Sequence, residues 1–214
     1  MSLPPSAPVF EVANITQWIF GIARPYVKGR ILEIGSGGGE ISTYFIENDI
    51  ALHLSDTDQT NRERLRERFD GNPTVRGIHK MDFHQPQFDE TYSEGFGTIG
   101  TIFKLNILSP PLDALAVAKI KLLLHEGGHL IALMPAYTAL YNGLGEDWIG
   151  WKKYNRSSVI DLLGNSFDIL KTRYFSLPAS GSSAFSQIGL SSIVIARKKE
   201  ITPLKNGSKH NSVV

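Results

Sequence analysis

Apolar positions along this chain follow two alternating rhythms. Ile15, Trp18, Ile19, Ile22 and Ala23 recur at the three-and-four spacing of a helix face, with Asn14 placed as an N-cap and Pro25 stopping the pattern. Arg30-Ile31-Leu32-Glu33-Ile34 is then a short apolar run ending in glycines, which suits a strand buried on both faces of a parallel sheet. The same reading predicts a helix over 40–47, a strand over 50–55, a helix over 59–69, and strands over 75–79 and 97–105. After a helix over 113–124, Gly127-Gly128 turns the chain into a fifth strand, His129 to Met134, halted by Pro135. A helix over 157–163 and strands over 169–175 and 192–197 complete the series. Strands alternating with helices in this way imply right-handed crossovers and a mostly parallel, doubly wound α/β sheet. The helix over 59–69 carries Arg62, Glu63, Arg64, Arg66, Glu67 and Arg68, a charge run expected to be a solvated face.

Composition narrows the classes of partner. The 214 residues, 42% hydrophobic and 20% charged, suit one domain over 1–198 followed by a polar, basic tail over 199–214 that is expected to be mobile. Lysine and arginine total 22 against 21 acids, so no excess positive field draws the chain to nucleic acid or an anionic membrane. A small-molecule partner, with the chain as monomer or homodimer, is the expectation. The absence of cysteine excludes disulfides, thiolate chemistry and cysteine-ligated zinc, and no metal site is expected. No secretory pattern opens the chain, and no apolar run approaches the roughly 20 residues of a membrane span, so a cytoplasmic location is expected.

Ligands of open α/β sheets bind beyond the carboxyl ends of the strands, which brings Glu33 to Gly39, Asp56, Asp82 and Asn106 toward one site. Gly35, Gly37 and Gly39 permit a sharp turn and a close backbone approach. A dinucleotide fingerprint counted from Gly35 and Gly37 places Glu40 at its third glycine, where an acid opposes a pyrophosphate. A sulfonium ligand bearing an amino group has the opposite need, so Glu33 and Glu40 favour S-adenosylmethionine. Asp56 stands where a carboxylate can accept from a ribose diol. Asp82 can accept from an adenine amino group while Phe83 packs on the ring.

The run Ile31-Leu32-Glu33-Ile34-Gly35-Ser36-Gly37-Gly38-Gly39 resembles the acid-x-Gly-x-Gly-x-Gly first motif of class I S-adenosylmethionine-dependent methyltransferases. Asp56, Asp82-Phe83, the segment Thr101 to Leu108 and Gly127-Gly128-His129-Leu130 are similar to that family's later motifs, with Glu126 where proline is usual. Segments 14–18, 134–137 and 151–154 resemble a bacterial small-molecule subgroup. The resemblance implies a Rossmann-like, seven-stranded, mostly parallel sheet with the last strand antiparallel. It implies cofactor contacts from Glu33, Gly35, Ser36, Gly37, Asp56, Thr57, Asp82, Phe83, Leu105 and Asn106. One departure stands out: Leu108-Ser109-Pro110 replaces the Leu-Glu-His often found after the fourth strand, which removes an acid and a histidine from the rim.

The implied reaction is methyl transfer to a small-molecule oxygen or nitrogen nucleophile, which positioning and desolvation can accelerate without an elaborate catalytic set. Among the histidines, His125 and His129 belong to the far end of the sheet and His53 lies inside the second strand, leaving His84 as the catalytic candidate. Trp18, Tyr137, Tyr141, Trp151 and Tyr154 are candidates for an aromatic wall around the acceptor. Two rivals stay open. One is a non-catalytic or repurposed S-adenosylmethionine-binding protein; the other is a nicotinamide-dependent oxidoreductase, which Glu40 and the lack of a Tyr-x-x-x-Lys set disfavour.

Overall fold

The computed structural model describes residues 12–104, 113–137, 156–178 and 188–200. Strands β1 (Ile31–Ile34), β2 (Leu52–Ser55), β3 (Val75–His79), β4 (Ile99–Lys104), β5 (Leu124–Tyr137), β6 (Phe167–Pro178) and β7 (Ile188–Lys198) form one sheet. Its order is β3-β2-β1-β4-β5-β7-β6. The first five strands pair in parallel, while β7 inserts antiparallel between β5 and β6. Helices α1 (Val12–Ala23), α2 (Glu40–Glu47), α3 (Gln59–Arg68), α4 (Phe88–Tyr92), α5 (Asp113–Leu123) and α6 (Arg156–Leu163) separate the strands. None of the described helices is long and apolar enough to cross a membrane.

Alternation along each strand divides the core between the two faces of the sheet. On one face Ile31, Leu52, Leu54, Phe103, Ile131 and Ile195 pack against Ile19 and Phe20 of α1, Phe45 of α2 and Leu65 of α3. On the other, Leu32, Ile34, Ile102, Leu130, Ala132 and Val194 meet Phe88 of α4, Val117 and Ile120 of α5 and Leu163 of α6. With cover on both sides, β1 is buried throughout, as its unbroken apolar run requires.

Three local expectations change. Asn14 lies inside α1, which already includes Val12; the anchors Ile15, Ile19, Phe20 and Ala23 bind the helix to the sheet whatever residue stands at its start. Pro135 does not halt β5, which runs on to Tyr137. Pairing with β4 ends at Ala132, so among the described residues Pro135 has a strand neighbour on one side only, the edge condition under which proline is tolerated, and the β7 register shifts just beyond it. The stretch between β3 and β4 also holds the short helix α4, whose Phe88 is fully buried. β7 ends at Lys198, and residues 201–214, where the tail is expected, lie outside the described residues.

Gly100 marks where the first helix crossover meets the sheet. Thr101 Oγ1 donates to the Lys28 carbonyl at 2.8 Å and accepts from the Lys28 N–H at 2.9 Å, pinning the turn before β1 onto β4. A Cβ at Gly100 would collide with the Lys28 carbonyl oxygen and come within 2.9 Å of the Gly29 Cα, both backbone atoms that no rotamer change can move. Gly100→Ala is expected to destabilise the fold by about 1–3 kcal/mol. In urea denaturation the midpoint falls and the slope stays unchanged.

Candidate functional site

The carboxyl ends of the parallel strands meet in register. Ile34 pairs with Ser55 on one side and Lys104 on the other, Ser55 with His79, and Lys104 with Ala132. The glycine loop springs from the middle of this row. Gly35, Gly37 and Gly39 have φ of 73°, 55° and 84°, the left-handed region that glycine enters without strain.

The amides of the loop point inward. Gly35 and Ser36 N–H both donate to the Ser55 carbonyl, Gly39 N–H to the Ser36 carbonyl, and Gly37 N–H to Asp56 Oδ2 at 3.0 Å. A phosphate-binding loop works by leaving such groups free for the anion, and here these four are engaged. Glu40 occupies the first turn of α2, where it adds negative charge. Both features oppose a pyrophosphate.

Beneath the loop lies Glu33. Its position in β1 turns it toward α2, where Ser42 Oγ donates to Oε2 at 2.6 Å. The residue is 0% exposed, and Oε1 has no hydrogen-bond partner among the described residues. Burial is the main cause that raises its pKa to about 8; the bond from Ser42 opposes this, and the charge of Glu40 adds to it. Glu33 is therefore largely protonated in the ligand-free protein near neutrality. The standing negative charge expected from the sequence becomes one that an incoming cation must call up. An orphaned buried carboxyl oxygen is the acceptor that an ammonium or sulfonium ligand fits.

Asp56 is buried and joins two loops: Oδ2 accepts from Gly37 N–H, and Oδ1 accepts from Asp58 N–H at 2.9 Å. Each carboxylate oxygen keeps a further lone pair for a diol. Thr57 follows it, its carbonyl held by Arg62 Nη1 at 2.8 Å. Asp82 Oδ1 accepts from His84 N–H at 2.9 Å and so shapes the turn after β3. Phe83 is only 6% exposed; its ring packs 5.5 Å from that of Phe88, so it braces the turn from within the core.

His84 is half exposed, with Nδ1 3.5 Å from Asp82 Oδ1. It follows β3, the outermost strand on this side, and β2 separates it from β1 and the glycine loop. Trp18 lies on the other flank, edge-on to Phe175 of β6 at 5.3 Å between centroids. Tyr137 ends β5 at the same edge of the sheet as the loop. Leu105, Asn106, Tyr141, Trp151 and Tyr154, with the Leu108-Ser109-Pro110 departure, lie outside the described residues. Three further histidines are engaged elsewhere. His129 Nδ1 meets the Tyr26 carbonyl at the far end of the sheet. Arg30 Nε donates to His53 Nε2, so His53 carries its proton on Nδ1 and donates it to His79 Nε2 at 3.1 Å.

Sequence reasoning missed three residues. The charge run of α3 is a largely exposed face, as expected, but two of its arginines also work: Arg62 Nη1 donates to the Asp56 carbonyl at 3.0 Å, and Arg68 Nη1 donates to the Gly38 carbonyl while lying 3.8 Å from Glu40. Spacing of Arg62 and Arg68 by six residues hints at no common face, so no pattern singles them out. Lys104, closing β4, was hidden inside an apolar run; burial lowers its pKa to about 8, opposed by attraction to Asp56.

The sign of the Glu33 shift gives a test. A carboxyl whose folded pKa is raised from 4.5 to about 8 contributes stability that is complete below the unfolded value and is lost as pH rises through about 8. Glu33→Gln keeps the neutral shape. Relative to wild type, the ligand-free variant is expected to gain thermal stability steadily between about pH 5 and 8, measured as the difference in Tm; a difference independent of pH would contradict the buried neutral carboxyl.

No family model matches the chain, and no curated protein matches its sequence. Solved structures do. An S-adenosylmethionine-dependent methyltransferase from Methanosarcina mazei superposes with a TM-score of 0.66 at 15% identity, covering 84% of this chain and 98% of that one. The CurJ carbon methyltransferase gives 0.58 at 19% identity, covering 87% and 53%. The [4+2]-cyclase SpnF gives 0.64 at 15% identity, covering 87% and 80%. With the strand order and the antiparallel last strand already described, the chain has the fold of the class I S-adenosylmethionine-dependent methyltransferases.

Proposed function

We propose that the chain is an S-adenosylmethionine-dependent methyltransferase acting on an oxygen or nitrogen nucleophile of a small molecule. The observation that carries this reading is the buried, unpartnered Oε1 of Glu33 under a glycine loop whose amides are already engaged. That combination asks for a cation, and with four loop amides taken and Glu40 in the first turn of α2 it disfavours a pyrophosphate, which sets S-adenosylmethionine above a nicotinamide dinucleotide.

In this reading the sulfonium cofactor supplies a methyl carbon that is already activated. Glu33, with Gly35, Ser36 and Gly37, holds the amino-acid end; Asp56 and Thr57 hold the ribose; Asp82, with Phe83 behind it, faces the base, and Leu105 and Asn106 close that side. Trp18, Tyr137, Tyr141, Trp151 and Tyr154 wall the acceptor and exclude water from it. His84 stands with the base-facing turn across β2 from the loop, so a nucleophile that arrives ionised, such as a phenol or acid, suits this site better than an alcohol. A cytoplasmic monomer or homodimer is the setting that this reading carries with it.

A second reading has its own support. SpnF, a [4+2]-cyclase, has a similar fold, so the fold by itself does not entail methyl transfer. Radiolabelled S-adenosylmethionine offered with a panel of phenols, carboxylic acids and amines separates the two: label transferred to any acceptor supports the enzyme, while tight binding with no transfer supports the repurposed protein.

Calorimetry tests the cofactor itself. S-adenosylhomocysteine is expected to bind, and tight binding of NAD with none of S-adenosylhomocysteine sinks the proposal. Asp56→Ala is expected to weaken S-adenosylhomocysteine binding by about 1.5–3 kcal/mol, the range for hydrogen bonds to a charged group. An unchanged Kd would confine Asp56 to shaping the two loops.

A further inference from the structure

Lys104 ends β4 between Ile34 of β1 and Ala132 of β5, a setting in which a long cation is costly to keep. Burial moves its ammonium toward neutrality, to about 8 from 10.5, so the charge is under-compensated where it stands. Two groups hold it. The ammonium lies 5.8 Å from the centroid of the Phe83 ring, and it is attracted to Asp56. Its Nζ makes no hydrogen bond or ion pair with any described residue, although it carries three donors.

The placement of those two groups matters more than the cation alone. Asp56 closes β2, and Phe83 follows β3 beside Asp82. A side chain from β4 that lies against the Phe83 ring and is attracted to Asp56 extends across the end of β1 toward the strands that carry them. On the reading above, Asp56 faces the ribose and Asp82 the exocyclic amino group of the base, so Lys104 reaches the junction of sugar and base. A purine nucleoside carries one ring acceptor on that side, N3. An amino group at Asp82 and an acceptor near Lys104 together describe adenine.

We propose that Lys104 is a specificity-determining residue for the nucleoside half of the ligand, its ammonium donating a hydrogen bond to purine N3. The inference rests on the S-adenosylmethionine reading of the same site. Pairing with N3 supplies the acceptor that the ammonium lacks. It also opposes ligands whose base presents a donor or a carbon at that place, since the bound base then shuts Nζ off from water without giving it an acceptor.

S-adenosylhomocysteine and its 3-deaza analogue, in which C–H replaces N3, test this by calorimetry on the full chain at neutral pH, with the 1-deaza analogue as control. Wild type is expected to prefer the parent over the 3-deaza ligand by about tenfold or more. Lys104→Met is expected to bind both with the same Kd, while its ratio for the 1-deaza control stays that of wild type. Equal binding of parent and 3-deaza ligand by wild type overturns the proposal on the unaltered protein, whatever becomes of the variant. A Lys104→Met protein that keeps the 3-deaza preference overturns it too, confining Lys104 to packing. Wild type that binds none of the three ligands overturns the S-adenosylmethionine reading itself, and this inference with it.

Discussion

A carboxyl group sealed into an apolar strand is the constraint around which this site is organised. Glu33 is fully buried in β1, and placing an acid there is tolerable only because Ser42 donates to one oxygen and a proton neutralises the other for most of the range below pH 8. The surroundings follow from that compromise. Ser42 must sit in the first turns of α2, so the glycine loop must turn sharply enough to bring α2 back over β1. Gly35, Gly37 and Gly39 provide that turn with positive φ. Ser55 and Asp56 then absorb the loop amides, which locks the loop to the end of β2. A single unsatisfied oxygen is left, aimed by all of these contacts.

Much of this was legible in the residues. The seven strands, the parallel majority and the meeting of Glu33, Asp56 and Asp82 along one edge follow from periodicity and from where runs of β-branched residues stop. What was not legible depends on distance in space. Arg62 and Arg68 look solvated because a charge run carries no record of which carbonyl each arm reaches, and those carbonyls belong to loops up to 30 residues away. Lys104 is invisible for a related reason: in Ile102-Phe103-Lys104 it reads as the polar end of a strand, and its depressed basicity arises only when Phe83 and the sheet close around it. Pro135 misled because its tolerance depends on which side of β5 has lost its neighbour, a fact of sheet order that no single segment holds.

The two arginines of α3 also explain how a helix with so little apolar surface stays in place. Leu65 is its only buried residue. Asp58 caps its first turn by accepting from Thr60 and Asn61 N–H, while Arg62 and Arg68 tie its exposed side to the Asp56, Thr57 and Gly38 carbonyls. The helix is thus fastened mainly through the loops it borders, so ordering of those loops and docking of α3 are one event.

The β6–β7 ladder runs on long after β1 has ended. Val194 stands in the row that contains Ile34 and Lys104, yet β7 continues its pairing with β6 to Ile188 and Pro178, roughly 20 Å farther at about 3.4 Å per residue. The sheet is thus lopsided: one half of it stops at the glycine loop, and the other rises past it as an arm of β5, β7 and β6 that narrows to β6 and β7 at its tip. The tip pairs of β6 and β7, beyond the end of β5, can be added or lost one at a time without disturbing the strands below. The arm can therefore vary in reach between homologous proteins while the loop and its carboxyl stay fixed, which separates the freedom to choose what approaches from the obligation to hold what is already bound.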